Sequence, residues 1–142
     1  KACSKLQSQY TSGASSIAQK AAEAAYDGPQ ECVEEMRVAF ERRRDLIVEL
    51  ASKIPGWKVN RPDGAFYLFP EVSSYFGMTD GVTTIHDASD LALYLLDKAH
   101  VATVDGAAFC APGYLRLSYA TSDDNIREAI KRISDALALL HK

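Results

Sequence analysis

The stretch YLRLSYATSDDN, residues 114–125, carries the strongest fold signal in the chain. Its apolar side chains alternate with polar ones, as the two faces of a β-strand require: Leu115, Leu117 and Tyr119. Ser122 follows with two aspartates behind it, which is typical of a capped helix start. The stretch therefore predicts a strand that leads directly into a helix. It also places a permanent cation, Arg116, at the centre of the strand face opposite the leucines.

Similar patterns predict three further strands and three further helices upstream. Ser15 or Ser16 caps a helix that Gly28-Pro29 ends, and a longer helix carries an apolar stripe from Val33 through Met36 and Phe40 to Ile54. We expect the Met and the Phe of that stripe to be core residues. WKVN and GAFYLF predict two strands around the turn at 61–64, Asp87 caps another helix, and VATVDG predicts a strand. Residues 1–13 are polar and turn-rich, and no helix is expected there.

The element order α-α-β-β-α-β-β-α offers too few and too short strands for a doubly wound sheet. It predicts an α+β fold: a two-layer small domain with a short mixed or antiparallel sheet covered by helices on one face. The opposite face, which carries Arg116, has no predicted cover. We therefore expect that the part of the protein that covers this face lies outside these 142 residues.

Length and composition indicate one ordinary globular domain and exclude several classes of protein. The chain has 142 residues, a formal net charge of −3, 47% hydrophobic and 25% charged residues, so no nucleic-acid partner is indicated. No apolar run approaches the roughly 18 residues of a membrane span. The three cysteines and three histidines lack the spacing of a disulfide framework or metal site, which favours a reducing cytoplasm. The chain begins with Lys1 rather than Met, and we expect it to be part of a longer protein.

The sequence alone allows two interpretations of Arg116. A strand arginine can pair with a structural carboxylate or reach solvent. Alternatively, its planar fork can bind a carboxylate or phosphate through two parallel hydrogen bonds, which the point charge of a lysine cannot reproduce. Glycines at 106 and 113 bring small residues close to this strand, which favours a ligand only modestly because glycines also form turns.

No catalytic motif is visible in the chain. It has no GxSxG elbow, no P-loop, no GxGxxG and no Cys/His pair at a meaningful spacing. Lys5, Lys20 and Lys131 are candidate Schiff-base nucleophiles by residue type alone. Lys5 lies in the polar leader and the others in predicted helices, so we interpret all three as surface charges. Taken alone, the chain predicts a domain that holds a ligand without transforming it.

Four stretches in a fixed order nevertheless resemble a known family. They are QSQYTSGASSIAQKAA, AFERRRDLIVELASKIPGWKV, RPDGAFYLF and VATVDGAAFCAPGYLRLSYATSDDNIREAIKRI. The chain resembles the C-terminal small domain of class I, fold-type-I, pyridoxal-phosphate-dependent aminotransferases, most closely aspartate aminotransferases. The resemblance spans nearly the whole chain. Two departures stand out: the family often has Pro-Gly where this chain has Asp105-Gly106, and Gly where it has Cys110.

The resemblance implies roles for four residues. Arg116 matches the family arginine that grips the α-carboxylate of the amino-acid substrate. Phe66 matches an aromatic residue near the substrate entrance, although it can equally be a hairpin core residue. Thr11 and Ser12 lie in a leader segment that approaches the active site of the neighbouring subunit in the family's homodimers. No residue is expected to bind a metal, and none here matches a catalytic residue.

The resemblance also implies what lies outside the chain. The family's Schiff-base lysine, its pyridine-binding aspartate and most of its phosphate-binding groups precede this segment. We therefore expect residues 1–14 to be a leader or interdomain segment and residues 15–142 to be the small domain. The large cofactor-binding domain, and with it the covalent site of pyridoxal 5′-phosphate, is expected to be absent from this chain, which would make the chain inactive alone.

The implied activity of the complete protein is amino-group transfer between an amino acid, aspartate, and a 2-oxo acid such as 2-oxoglutarate. The resemblance implies that this domain contributes the α-carboxylate arginine and closes over the bound substrate. Within the same family the substrate can instead be alanine, an aromatic amino acid, kynurenine or prephenate, because these enzymes share the α-carboxylate arginine. An alternative of another class is a stand-alone carboxylate-binding or interaction module. We expect a cytoplasmic homodimer with no nucleic-acid or membrane partner.

Overall fold

The computed structural model describes all 142 residues, which form two compact units, Lys1–Arg37 and Val38–Lys142. Five α-helices and three β-strands follow one another along the chain. In order these are α1 (Ala2–Tyr10), α2 (Ser16–Asp27), α3 (Glu31–Ala51), β1 (Tyr67–Leu68), α4 (Ala88–Ala99), β2 (Val104–Asp105), β3 (Leu115–Ser118) and α5 (Asp123–Leu137). Two short 3-10 helices, Ser73–Tyr75 and Gly106–Phe109, lie between them. No helix combines the length and the apolar character that crossing a membrane requires.

The first unit begins with a helix where the sequence predicted turns. Helix α1 contains neither glycine nor proline, and its end is fixed when Thr11 N–H donates to the Gln7 carbonyl at 3.0 Å. The Gln7 side-chain amide also donates to the Thr11 hydroxyl at 2.6 Å. The prediction of turns was wrong because the residues of α1 have sufficient helix propensity although most of them are polar. A polar segment without glycine or proline can form a helix with little burial.

The apolar stripe of α3 is buried only along its second half. Ile47 and Ala51 are 3% and 0% exposed, and Ile54, just beyond the helix, is 3% exposed, whereas Val33 and Met36 are 57% and 60% exposed. The prediction that Met36 is a core residue was therefore wrong, while Phe40 is partly buried against the core. Helical periodicity shows that a helix has an apolar face, but it does not show what covers that face.

The second unit contains a three-stranded antiparallel sheet in the order β1-β3-β2. Strand β3 is central: Leu117 pairs with Leu68 of β1, and Leu115 pairs with Asp105 of β2. The predicted strand WKVN contributes only one isolated antiparallel bridge, between Lys58 and Glu71. Glu71 lies just beyond the run GAFYLF, so the first two predicted strands do not pair with each other, and β1 pairs with β3 instead.

The helices of this unit begin where their caps predict. The Asp87 carboxylate accepts a hydrogen bond from Asp90 N–H at the start of α4, and the Ser122 hydroxyl accepts one from Asn125 N–H at the start of α5. The inward residues of the sheet and helices form one core, led by fully buried side chains: Leu68, Leu91, Leu95, Leu115 and Ile133. The predicted α+β fold, with helices on one face of a short sheet, is confirmed.

Candidate functional site

Strand β3 holds Arg116 on the side of the sheet away from the core. Its neighbours Leu115 and Leu117 are 0% and 5% exposed, whereas Arg116 is half-buried and Ser118 is exposed. Because side chains alternate along a strand, burial of the two leucines fixes Arg116 on the outer face. Val104 of β2 pairs with Arg116 across the sheet and is 40% exposed.

The Arg116 guanidinium contacts two aromatic rings and no carboxylate. Its central carbon lies 4.5 Å from the centroid of the Tyr67 ring and 4.2 Å from that of Phe109. No acidic side chain lies within ion-pair distance of it, and it donates no hydrogen bond within the chain. Arg116 therefore does not pair with a structural carboxylate, which was one of the two interpretations of this residue. The donors of the guanidinium are uncommitted.

A tight turn between β2 and β3 places Phe109 beside the arginine. Gly106 begins the turn, and a Cβ there would lie 2.4 Å from the Ala111 carbonyl oxygen, so only glycine fits without displacing backbone. The Asp105 carboxylate caps the turn by accepting from Ala107 N–H at 2.9 Å. Cys110 closes it in the left-handed region, at φ 58° and ψ 27°. A compact turn therefore forms at the two positions, Asp105 and Cys110, where the chain departs from the family pattern.

Four rings line the outer side of the sheet next to Arg116, and we call them the aromatic face: Tyr67, Phe69, Phe109 and Tyr114. Phe69 stacks on Tyr114 with 5.2 Å between centroids and meets the edge of Phe109 at 6.2 Å. Tyr67 and Phe109 cover part of the guanidinium, and Arg116 is half-buried, so its electrostatic interactions are stronger than in open water. Phe109 remains 45% exposed, so a ligand can reach this face.

At the far end of the aromatic face, two oppositely charged side chains of this chain pair with each other. The Lys58 ammonium donates to the Glu71 carboxylate at 2.6 Å, and the two residues line a cleft of about 370 Å³ with Phe69 and Tyr114. The hydrogen bond from Lys58 lowers the pKa of the Glu71 carboxyl, with a second contribution from the Ser73 hydroxyl. Arg116 is therefore the uncompensated positive group of the aromatic face.

Phe66 lies one ring away from Arg116. Its centroid is 4.5 Å from that of Tyr67, which in turn contacts the guanidinium, and 5.9 Å from that of Phe40. Phe66 is 39% exposed, and its carbonyl accepts a hydrogen bond from Tyr119 N–H at 2.9 Å. The structure thus brings Phe66 and Arg116 to the same end of the sheet, connected by Tyr67.

Thr11 and Ser12 belong to the first unit and follow α1. Thr11 is the C-terminal cap residue of the helix, and Ser12 adopts a left-handed backbone with φ 55°. Both are exposed. The structure gives them no contact that by itself indicates a binding role.

The lysines and cysteines are all on the surface. Lys20 and Lys131 pair with acidic residues on their own helices, at 2.6 Å to Glu23 and 2.7 Å to Asp135, and Lys5 is exposed. The three cysteines are free and exposed. No group of three or more His, Cys, Asp or Glu side chains is placed to hold a metal ion.

Tyr67 and Phe109 are the residues that sequence reasoning missed. Tyr67 alternates with Leu68 in the run GAFYLF, which predicts that Tyr67 lies on the outer face of the sheet, and the pairing of β1 with β3 then brings it beside Arg116. That signal was available. Phe109 had no comparable signal, because its position depends on the compact turn formed by Gly106, Asp105 and Cys110.

Comparison with known proteins identifies the type of domain that carries this site. The family model described as "Aminotransferase class I and II" matches residues 1–133. A bifunctional aspartate aminotransferase and glutamate/aspartate-prephenate aminotransferase from Petunia hybrida is 48% identical over 98% of the chain, and an aspartate aminotransferase from Geobacillus stearothermophilus is 47% identical over 94%. The crystal structure of the aspartate aminotransferase from Rhizobium meliloti superimposes with a TM-score of 0.88 at 42% identity over 96% of the chain.

The chain therefore belongs to the class I and II aminotransferase family, whose members in general use pyridoxal phosphate. It spans about a third of the length of these relatives: 30% of the Petunia protein, 33% of the Geobacillus protein and 34% of the Rhizobium structure. The match confirms the family expected from the four sequence stretches.

Proposed function

We propose that this chain is the C-terminal part of a pyridoxal-phosphate-dependent aminotransferase that exchanges an amino group between aspartate and a 2-oxo acid such as 2-oxoglutarate. In this proposal Arg116 binds the α-carboxylate of the substrate. The observation that carries the proposal is the Arg116 guanidinium, which contacts two rings on an accessible face and has no carboxylate partner of its own.

The chemistry of the guanidinium suits this role. Arginine presents parallel N–H groups that match the two oxygens of a carboxylate, and such charge-assisted bonds are about twice as strong as neutral ones. An amino acid and its 2-oxo acid both carry a carboxylate next to the reacting carbon. One arginine can therefore fix the same end of both substrates and orient the reacting atoms.

The identity of the relatives supports aspartate as the amino donor and favours one second candidate. The Geobacillus and Rhizobium relatives are named aspartate aminotransferases. Relatives from Petunia hybrida and Aquifex aeolicus, at 48% and 47% identity, are named for prephenate as well. Prephenate is itself a 2-oxo acid with an α-carboxylate, so Arg116 serves either substrate. The side-chain specificity then depends on residues outside this chain.

The cofactor is proposed to bind outside this chain. Lys20 and Lys131 are held in surface ion pairs and Lys5 is exposed, so none lies in an enclosed site suited to a Schiff base. Pyridoxal phosphate supplies the electron sink for amino-group transfer. We place its lysine in the two thirds of the relatives' length that this chain does not match. The chain contributes substrate binding and is inactive by itself.

The remaining assignments concern the complete protein. We propose residues 1–14 as a leader segment and residues 15–142 as the small domain beside a large cofactor domain. We also propose a homodimer in which Thr11 and Ser12 approach the partner's site, with Phe66 near the substrate entrance. Three free thiols are consistent with a reducing compartment, which supports a cytoplasmic location.

Steady-state kinetics of the complete protein test the proposal. With aspartate and 2-oxoglutarate as substrates, Arg116→Lys is expected to lower kcat/KM by about tenfold or more, because one point charge replaces a two-pronged contact. Assays with prephenate as the acceptor separate the two candidate substrates. If the wild-type protein shows no transaminase activity but the chain binds aspartate in calorimetry, the proposal is wrong and a stand-alone binding module is supported.

A further inference from the structure

We propose that Tyr67 and Phe109 are positioning residues that hold the Arg116 guanidinium in the orientation required for a carboxylate. The inference rests on the proposed function, because it assigns to these two rings an effect on substrate binding through Arg116. Neither ring is needed to contact the substrate itself.

The two rings approach the guanidinium from different parts of the fold. Tyr67 lies on β1, where it pairs with Ser118, two residues beyond Arg116 on β3. Phe109 ends the 3-10 helix between β2 and β3. Their centroids lie at comparable distances from the guanidinium carbon, 4.5 Å and 4.2 Å. Two independently anchored rings restrict the guanidinium more than one flexible neighbour would.

The contacts leave the hydrogen-bonding capacity of Arg116 intact. A cation–π contact is an attraction to the ring face and uses no N–H donor, and Arg116 donates no hydrogen bond within the chain. A carboxylate partner would instead occupy those donors and compete with the substrate. The rings therefore order the arginine without consuming the groups that bind substrate.

Preorganisation of this kind has a measurable effect on affinity. A free arginine loses much rotamer freedom when it binds a ligand, and a group already held in its bound orientation loses less. Phe109 is itself held in place, because its ring packs edge-to-face against Phe69, with 6.2 Å between the centroids, and because it follows a turn that requires Gly106. Removing one ring is expected to weaken the binding of every substrate that carries an α-carboxylate, by between about twofold and thirtyfold.

A double-mutant cycle in the complete protein tests the inference, with kcat/KM and KM for aspartate and for 2-oxoglutarate as readouts. Phe109→Leu and Tyr67→Leu keep apolar bulk and remove the ring face. Both are expected to raise KM for the two substrates by similar factors, with a smaller change in kcat. Phe109→Tyr restores the ring face and is expected to restore KM. Each leucine variant is also made on the Arg116→Ala background.

The cycle separates positioning from a general loss of structure. If the rings act through Arg116, the leucine substitutions have little further effect once the arginine is gone. If they lower kcat/KM by the same factor with and without Arg116, the positioning role is refuted. Phe76→Leu, which removes a ring elsewhere in the same unit, is the matched control and is expected to leave KM unchanged. Wild-type KM in both ring variants, together with a strongly impaired Arg116→Lys, would overturn this inference alone. Full activity in Arg116→Lys would overturn the proposed function.

Discussion

Gly106→Ala offers a sharp test of how the turn before β3 is built. A Cβ at this position would lie 2.4 Å from the Ala111 carbonyl oxygen, 2.8 Å from Tyr114 Cβ and 2.8 Å from the Tyr114 carbonyl oxygen. Two of these three atoms belong to the backbone and cannot rotate away. The same residues also hydrogen-bond: Gly106 N–H donates to Tyr114 O at 2.8 Å, and Ala111 N–H donates to Gly106 O at 3.0 Å. The added methyl group must therefore displace the turn.

Overpacking of this kind typically costs about 1–3 kcal/mol of unfolding free energy. For a chain of this size, a loss of 1 kcal/mol lowers Tm by roughly 3–4 °C, so the expected fall is roughly 3–12 °C. The single tryptophan, Trp57, is 7% exposed within Val38–Lys142, so its fluorescence reports unfolding of that unit. Thermal and urea unfolding followed by this signal measure the change.

Gly64→Ala is the matched control. No heavy atom lies within 4 Å of a Cβ built at Gly64. Its substitution is expected to leave stability unchanged or raise it by up to about 1 kcal/mol through reduced freedom of the unfolded chain. If Gly106→Ala is as stable as Gly64→Ala, the close approach at the turn does not constrain the fold, and our account of how Phe109 is held in place fails.

Two further predictions concern the helix that follows β3. Ser122→Ala removes the hydroxyl that accepts from Asn125 N–H at 3.2 Å, and we expect a loss of about 1 kcal/mol in urea unfolding. Ser15→Ala, at a cap residue without a side-chain hydrogen bond, should change stability far less, and equal effects would contradict the capping argument. The hydrogen bond from Arg42 lowers the pKa of the Asp123 carboxyl below its usual value of 3.8. The pair therefore stabilises the folded protein fully above about pH 3.8, and this stabilisation is lost as pH falls through the lowered pKa. Asp123→Asn is expected to flatten the fall in Tm between pH 5 and pH 2, and an unchanged acid profile would refute this.

Much of the fold follows from local patterns in the sequence. The alternation of Leu115, Arg116 and Leu117 predicted which face of the strand is buried, and the structure has the same arrangement. Asp87 and Ser122 predicted the starts of α4 and α5 because a cap acts on backbone groups only three residues away. Interactions of this short range can be read directly from the order of residues.

The errors arose where the outcome depends on distant packing. Met36 has helical spacing identical to that of buried residues, but no residue of Lys1–Arg37 is buried. The run WKVN has strand-forming residues, yet only Lys58 pairs, because a ladder needs a partner in register along its whole length. Helix α1 formed in a polar segment for which we expected turns.

The candidate site was predicted in part. The residue type and strand position of Arg116 were sufficient to single it out, and its lack of a carboxylate partner came only from the structure. The approach of Phe109 depends on a turn whose geometry is set by Gly106 and by the left-handed Cys110, and no periodic pattern encodes that approach. Residues that act through such turns are the hardest to find by spacing alone.

The central claim is that Arg116 binds a substrate carboxylate, and a binding measurement tests it most directly. Calorimetric titration of the complete, cofactor-loaded protein with maleate, an unreactive dicarboxylate, gives Kd for the wild type, Arg116→Lys and Arg116→Ala. We expect Kd to rise by at least about tenfold in both variants, because a charge-assisted two-pronged contact is worth roughly 1.5–3 kcal/mol. An unchanged Kd in Arg116→Ala would contradict the account.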